Sequence, residues 1–399
     1  MKTILKIYNF FKLFSLNQKL RFYLLSFITV ISSSIEIFNI YLIFQFVHLI
    51  SGLETSSSLV IFLEKNNYLF LKDIFTGVQS FGLFLVASLF IGLATSSFLI
   101  YASSRYSLQT GAEISNTLLA YYINKNFLFH MSTTPANIIN KVKEQTSNVA
   151  AYILEQLALM ISKLIFIIPL FIGLFIYNPK VTLIAGLLFI IIYFIIFSFV
   201  KKNFNILGQN YTDLTKKNFD VMIDSLGGIK DIKFNLKENF FLKKFFDNNT
   251  NLVNVSSKIS ILNRFPKYII EFIAISFVIL LIIFFSKNLS VNFQELVVLL
   301  SIFLISSYKI LPALQQIYTN IGYIKTGLPS LDGISEDFKN ALKIDFSQKL
   351  NMNLINQFSK FKKVQLKNVT FSYENTKFKT LQDVSLEVNR GEKIGITGY

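Results

Sequence analysis

Apolar positions along the chain come in long blocks instead of alternating with polar ones. Six stretches, about 22–50, 79–104, 151–177, 180–200, 268–286 and 293–311, are dominated by Ile, Leu, Phe and Val. Each approaches or exceeds the ~20 apolar residues that carry a helix across ~30 Å of hydrocarbon. The stretch 181–200 contains no charge and stops at Lys201-Lys202. Asn178-Pro179 ahead of it marks a tight turn between two spans. The polar connections 105–150 and 201–267 keep helical spacing, which predicts helices that run tens of ångströms beyond the membrane. On the opposite side the one long connection is 51–78, where 58–75 is apolar enough for a short helix lying on the surface. The pattern predicts an all-α membrane bundle of six helices with long helical extensions on one side.

Charge sets the orientation. Lys and Arg number five in 1–21, four in 105–150, twelve in 201–267 and thirteen in 309–399, against only Lys65, Lys72, Lys180 and Lys287 in the opposite connections. Cationic loops stay in the cytoplasm, so both termini are expected there, with 1–21 as a basic, partly amphipathic lead-in. This asymmetry accounts for a net charge of +16 without any nucleic acid as partner. With 52% hydrophobic and 16% charged residues, the composition excludes an ordinary soluble enzyme. Cysteine is absent, which removes thiol catalysis and disulfides, and His48 and His130 are too few and too far apart for a histidine metal site. No catalytic or metal-binding residue is assigned.

Two segments carry candidate chemistry. The first is the tip of the second inner connection, Asp224, Ser225, Leu226, Gly227, Gly228, Ile229 and Lys230, where paired glycines end one helix and a short transverse segment follows. The bland alternative is a surface turn between two helices. The second begins near 364, where 364–371 and 381–388 alternate as half-buried strands and 393–397 is expected as a third strand after a turn at Arg390-Gly391-Glu392. The stretch 325–363 is expected as a polar linker. Gly398 closes the last strand where a phosphate-binding loop would open, but a lone glycine is no signal by itself.

The six-span layout, the long inner connections, the 225–233 tip and Phe371-Ser372-Tyr373 ahead of Gly391-Glu392-Lys393-Ile394-Gly395-Ile396-Thr397-Gly398 together resemble an ABC exporter half-transporter. Among exporters, Ser34-Ile35-Glu36-Ile37-Phe38, 264–271 and Tyr308-Lys309-Ile310-Leu311-Pro312 are similar to the bacterial PglK-like lipid-linked oligosaccharide flippases. The resemblance implies a transmembrane domain over 22–324, a linker over 325–363 and the start of a nucleotide-binding domain over 364–399. It implies ATP and Mg as cofactors, Tyr373 as the aromatic that stacks on adenine, and Gly398 as the start of the phosphate loop. The 224–230 tip, and a second one near 131–139, become coupling segments that dock on a nucleotide-binding domain. A homodimer, or a heterodimer with another half-transporter, is implied in the bacterial inner membrane. The motifs that bind magnesium and cleave ATP have no counterpart before residue 399, so the chain is expected to be cut short at the phosphate loop and inactive as an ATPase alone.

Charges inside a membrane span are costly and point to function. Lys163, Lys267 and Lys309 lie roughly 20–30 Å inward of the outer ends of their spans. A ring of such ammonium groups suits the pyrophosphate of a lipid-linked glycan, and in the resemblance Lys267 and Lys309 stand where these flippases carry basic residues. The competing account has Lys267 and Lys309 reaching the cytoplasmic interface, or pairing with Glu271. Glu36 fits a structural partner inside the bundle. The expected function is ATP-driven flipping of a polyprenyl-pyrophosphate-linked oligosaccharide. Export of a peptide, drug or other lipid is the alternative within transporters. A truncated, non-catalytic relic or inhibitory partner is the alternative outside them.

Overall fold

A computed structural model describes residues 2–50, 75, 77–287, 293–344, 362–372 and 378–396, which fall into two compact units, Met1–Lys343 and Ile344–Tyr399. In the first unit the described helices are α1 (Lys2–Lys12), α2 (Leu16–Ile50), α3 (Val78–Ile123), α4 (Phe127–Ser132), α5 (Pro135–Tyr177), α6 (Pro179–Gly227), α7 (Ile229–Phe234), α8 (Glu238–Arg264), α9 (Pro266–Lys287) and α10 (Phe293–Ala341). Among the described residues, four helical stretches are long and apolar enough to cross a membrane: Leu16–Val47, Val78–Ile123, Pro135–Tyr177 and Pro179–Ile196. Helices α9 and α10 cover the other two apolar stretches. The surface helix expected over 58–75 lies outside the described residues, apart from Phe75.

The helices far outrun a bilayer. With 46 residues α3 is about 69 Å long at 1.5 Å per residue, and the 49-residue α6 and α10 are longer still. Helix α2 packs along α3 and α5, α5 along α10, and α6 along α8 and α10. Small residues permit the closest crossings. A Cβ at Gly208 of α6 would meet the Thr326 carbonyl oxygen of α10 at 2.5 Å, and one at Gly111 of α3 would meet Ala150 Cβ of α5 at 2.7 Å. The α5–α6 turn is a single residue: Asn178 Oδ1 accepts from the Val181 N–H at 3.2 Å, and Pro179 starts the next helix where no N–H is needed.

The largest core lies in the extensions. Ile114, Leu118, Val149, Ile334 and Phe338 from α3, α5 and α10 are fully or almost fully buried together with Phe10 and Phe14. The basic lead-in is therefore folded: α1 lays Phe10 against Phe338, with ring centroids 5.5 Å apart, and bridges Lys6 to Asp332 at 2.7 Å. Between these helices Asp337 accepts from the Tyr122 hydroxyl and from Lys141 Nζ, both at 2.6 Å.

Two expectations are corrected. The polar linker does not start at 325, because α10 continues to Ala341. Its residues Leu328, Leu331, Ile334 and Phe338 form a helical apolar stripe that belongs to the core. In the second unit β1 (Lys363–Phe371) pairs antiparallel with β2 (Leu381–Asn389), from Lys363 opposite Asn389 to Phe371 opposite Leu381. The third strand expected over 393–397 is not formed in its described part, 393–396. The chain turns at Gly391, with φ +89°, and no further strand stands beside it among the described residues to supply a ladder.

Candidate transport groove and docking tip

Helices α5, α6 and α10 enclose an apolar groove of about 600 Å³. On α10 its wall is the stripe Ser307, Ile310, Leu311, Leu314, Ile317 and Ile321, at helical spacing. On α5 the wall includes Ile167 and Phe171, and Phe194 closes it from α6. Among the described residues no charged one lines it. Lys163 precedes Ile167 by one helical turn, so it stands on the same stripe just inward of the groove and is half-buried. Lys309 is also half-buried, but is offset by one residue from the lining stripe at Ile310. Lys267 is exposed and forms an ion pair with Glu271 at 3.6 Å, one turn along α9. The three lysines thus occupy three separate helices without a described contact between them. Glu36 accepts from the Ser96 hydroxyl at 2.5 Å, tying α2 to α3.

The glycine pair works as its chemistry requires. Helix α6 ends at Gly227, the Gly228 N–H bonds back to the Asp224 carbonyl at 3.0 Å, and the short α7 starts at Ile229. Of this tip only Ile232 is buried. Leu226, Phe234 and Leu236 stand out into the solvent, more than 70% exposed each. Leu236 holds φ at +53°, a left-handed conformation that L-residues with large side chains rarely adopt. Lys233 closes the turn onto Glu238 at 3.0 Å; the carboxyl is held below its usual range by its own backbone N–H and by the Lys233 ammonium. The first inner connection ends in a similar way, with Phe127 and Met131 of α4 well exposed. Phe234 and Leu236 lie beyond the segment expected from sequence.

Tyr373 and Gly398 fall outside the described residues. Among the described residues no group of three His, Asp or Glu side chains is close enough to hold a metal ion.

Long helices with exposed apolar tips on one side define an architecture, and the sequence comparison gives it a family. The ABC transporter transmembrane region matches residues 22–309. The chain belongs to that family. A solved structure described as that of a bacterial Atm1-family ABC exporter with ATP bound superposes with a TM-score of 0.62 at 13% identity, covering 94% of this chain. This likeness is one of exporter fold. The chain spans 61% of the length of that exporter. In this family frame the groove lies within the bundle of an exporter membrane domain.

Proposed function

We propose that the chain is one half of an ATP-driven exporter with six spans and cytoplasmic termini, which moves an amphipathic, phosphate-bearing lipid outward. A polyprenyl-pyrophosphate-linked glycan is the substrate class that fits best. The observation carrying this reading is the placement of Lys163 one turn inward of a long apolar groove. A chain of isoprene or acyl carbons fits the groove, and a phosphate at its inner end meets a partly desolvated cation. Lys309, next to the α10 stripe, adds a second ammonium. Lys267 shares its charge with Glu271 and contributes less.

The exposed Leu226, Phe234 and Leu236 support docking of α7 on a nucleotide-binding domain, since an apolar cluster at the end of a water-facing hairpin needs cover. ATP, with Mg, would supply the closing energy from such domains in a dimer of like or unlike halves. Tyr373 and Gly398 would belong to the nucleotide site.

The charge-free lining of the groove favours a second reading, a neutral amphipathic substrate such as a drug. Double substitution Lys163→Met and Lys309→Met separates the two. In proteoliposomes holding the working exporter, it should reduce flipping of a polyprenyl-pyrophosphate-linked sugar at least tenfold and leave a neutral dye unaffected. Unchanged flipping of the phosphate-bearing lipid would remove the lysines from the account.

A further inference from the structure

A second pocket, of about 360 Å³, lies between α6 and α8 and is lined by Asn203, Ile206, Leu207, Lys258, Ile261 and Leu262. It shares no lining residue with the groove. Two independent counts give its depth. On α6 the uncharged run 181–200 is about 30 Å long, the thickness of the hydrocarbon, so Asn203 stands ~5 Å and Leu207 ~10 Å past its edge. On α9, Lys267 and Lys287 lie about 30 Å apart along the helix, so Leu262 falls ~8 Å and Lys258 ~14 Å past the edge at Lys267. The headgroup layer adds ~5–8 Å on each side of the hydrocarbon. Both helices therefore place the pocket at that layer, with Lys258 on its water side.

The polar groups of the pocket are open to an occupant. Lys258 and Asn203 are both exposed, and among the described residues Lys258 takes part in no ion pair. No Asp or Glu stands in the described lining. The nearest acids along α6 and α8, Asp213 and Asp247, are six and eleven residues from the lining, and Glu271 on α9 is engaged by Lys267. Beside the cation lies bare apolar surface, with Ile261 60% exposed and Ile206 exposed as well. Phe265 continues this stripe towards the hydrocarbon. Its N–H bonds to the Ile261 carbonyl at 2.8 Å, so it stands one helical turn along on the same face, and it too is exposed.

Charge, depth and shape select one occupant. A cation without a matching anion suits a phosphate, and the neighbouring carboxamide both donates and accepts, which suits the esters and hydroxyls around that phosphate. The volume holds such a headgroup and not its chains. The exposed stripe through Ile261 and Phe265 gives the chains a path into the hydrocarbon. A zwitterionic lipid brings its own cation, which Lys258 repels, whereas an anionic one does not.

We propose that this pocket holds the headgroup of an anionic phospholipid of the surrounding bilayer, with Lys258 on its phosphate and Asn203 on its esters or hydroxyls. Tryptophan is absent from the chain, so one introduced as Phe265→Trp reports alone. The full chain with this reporter is placed in phosphatidylcholine vesicles containing phosphatidylglycerol, with bromine on the acyl chains of one lipid or of the other. Quenching per brominated lipid is expected to be about fivefold stronger for phosphatidylglycerol, the preference that one ammonium at an anionic surface supplies. At a Phe27→Trp reporter, exposed on α2, the two lipids should quench equally. Adding Lys258→Gln should abolish the preference at Phe265→Trp, and Lys258→Arg should keep it. Lys258 is exposed, so both variants should fold, and undiminished quenching by phosphatidylcholine verifies this. Lys163→Met with Lys309→Met should leave the preference intact, so this site and the phosphate-lipid substrate can fail separately. Equal quenching by both lipids without Lys258→Gln, or a preference that survives it, would overturn the proposal. Absence of quenching by either lipid would overturn it too, by placing a second copy of the chain over the pocket.

Discussion

The same helices are packed in two different ways along their length. In the extension beyond the spans α3, α5 and α10 turn their apolar residues inward, so that Ile114, Leu118, Val149 and Ile334 have no exposed surface. In the span region of α3 and α6 apolar residues point outward, with Leu83 at 75%, Phe90 at 71% and Leu187 at 57% exposed. Water would not tolerate the second arrangement, and a bilayer requires it. The comparison teaches that the fold is held by its water-side core, whereas the span region is free to surround a groove. It also explains α1: a basic amphipathic segment finds apolar partners at Phe338 and Leu118 because the core at that level excludes water.

The contrast is sharpest at two phenylalanines. Phe338→Ala removes a buried ring from the extension and should destabilise the detergent-purified chain by ~3–5 kcal/mol, whereas Phe90→Ala should change its unfolding temperature little. Equal losses from the two would break the two-environment account. A smaller loss is expected at the polar clamp of the same core. Asp337→Asn keeps an acceptor for Tyr122 but cancels the charge facing Lys141, and should cost ~1–2 kcal/mol in denaturant unfolding. No loss would mean that the clamp is not part of the core.

At the tip the expected sign reverses. Leu236→Gly relieves a left-handed leucine and should raise stability by ~0.5–1 kcal/mol, while it weakens association with an exporter nucleotide-binding domain in a pull-down. Loss of stability there would show that the exposed side chain serves the fold and not docking. The smallest effect concerns pH. Burial, and then the charge of Glu144, raises the Tyr211 hydroxyl above its ordinary value of ~10. Its contribution is fully present below pH ~10 and is lost as pH rises from there towards the folded value. Tyr211→Phe should flatten that alkaline limb of the thermal-stability profile by a few tenths of a kcal/mol, and an unchanged limb would assign it to other groups.

Much of this was legible in the sequence, for identifiable reasons. Uncharged apolar blocks mark membrane-spanning helices, because the cost of charge in hydrocarbon dominates every other term. Gly227-Gly228 and Asn178-Pro179 mark their turns, since those residues interrupt helices through their own backbones. What stayed hidden depends on tertiary partners. The run 325–341 reads as polar, but its stripe of Leu328, Leu331, Ile334 and Phe338 is helical only against α3 and α5. The stretch 393–396 has strand-like residues and no described strand to pair with. Whether the lysines converge or Lys267 pairs with Glu271 depends on helix facing, which sequence leaves open; Lys163 stands in line with the groove and Lys267 beside Glu271.

The absence of cysteine gives the central claim a direct test, since every introduced thiol reports alone. Phe90→Cys and Phe234→Cys both expose their side chains, one from the span region and one from the tip. In membrane vesicles with the cytoplasmic face accessible, a water-soluble maleimide should label position 234 and leave position 90 untouched, while a lipid-soluble one labels both. Equal labelling of the two positions by the water-soluble reagent would contradict the account, because the outward apolar face of α3 would then be in water and not in lipid.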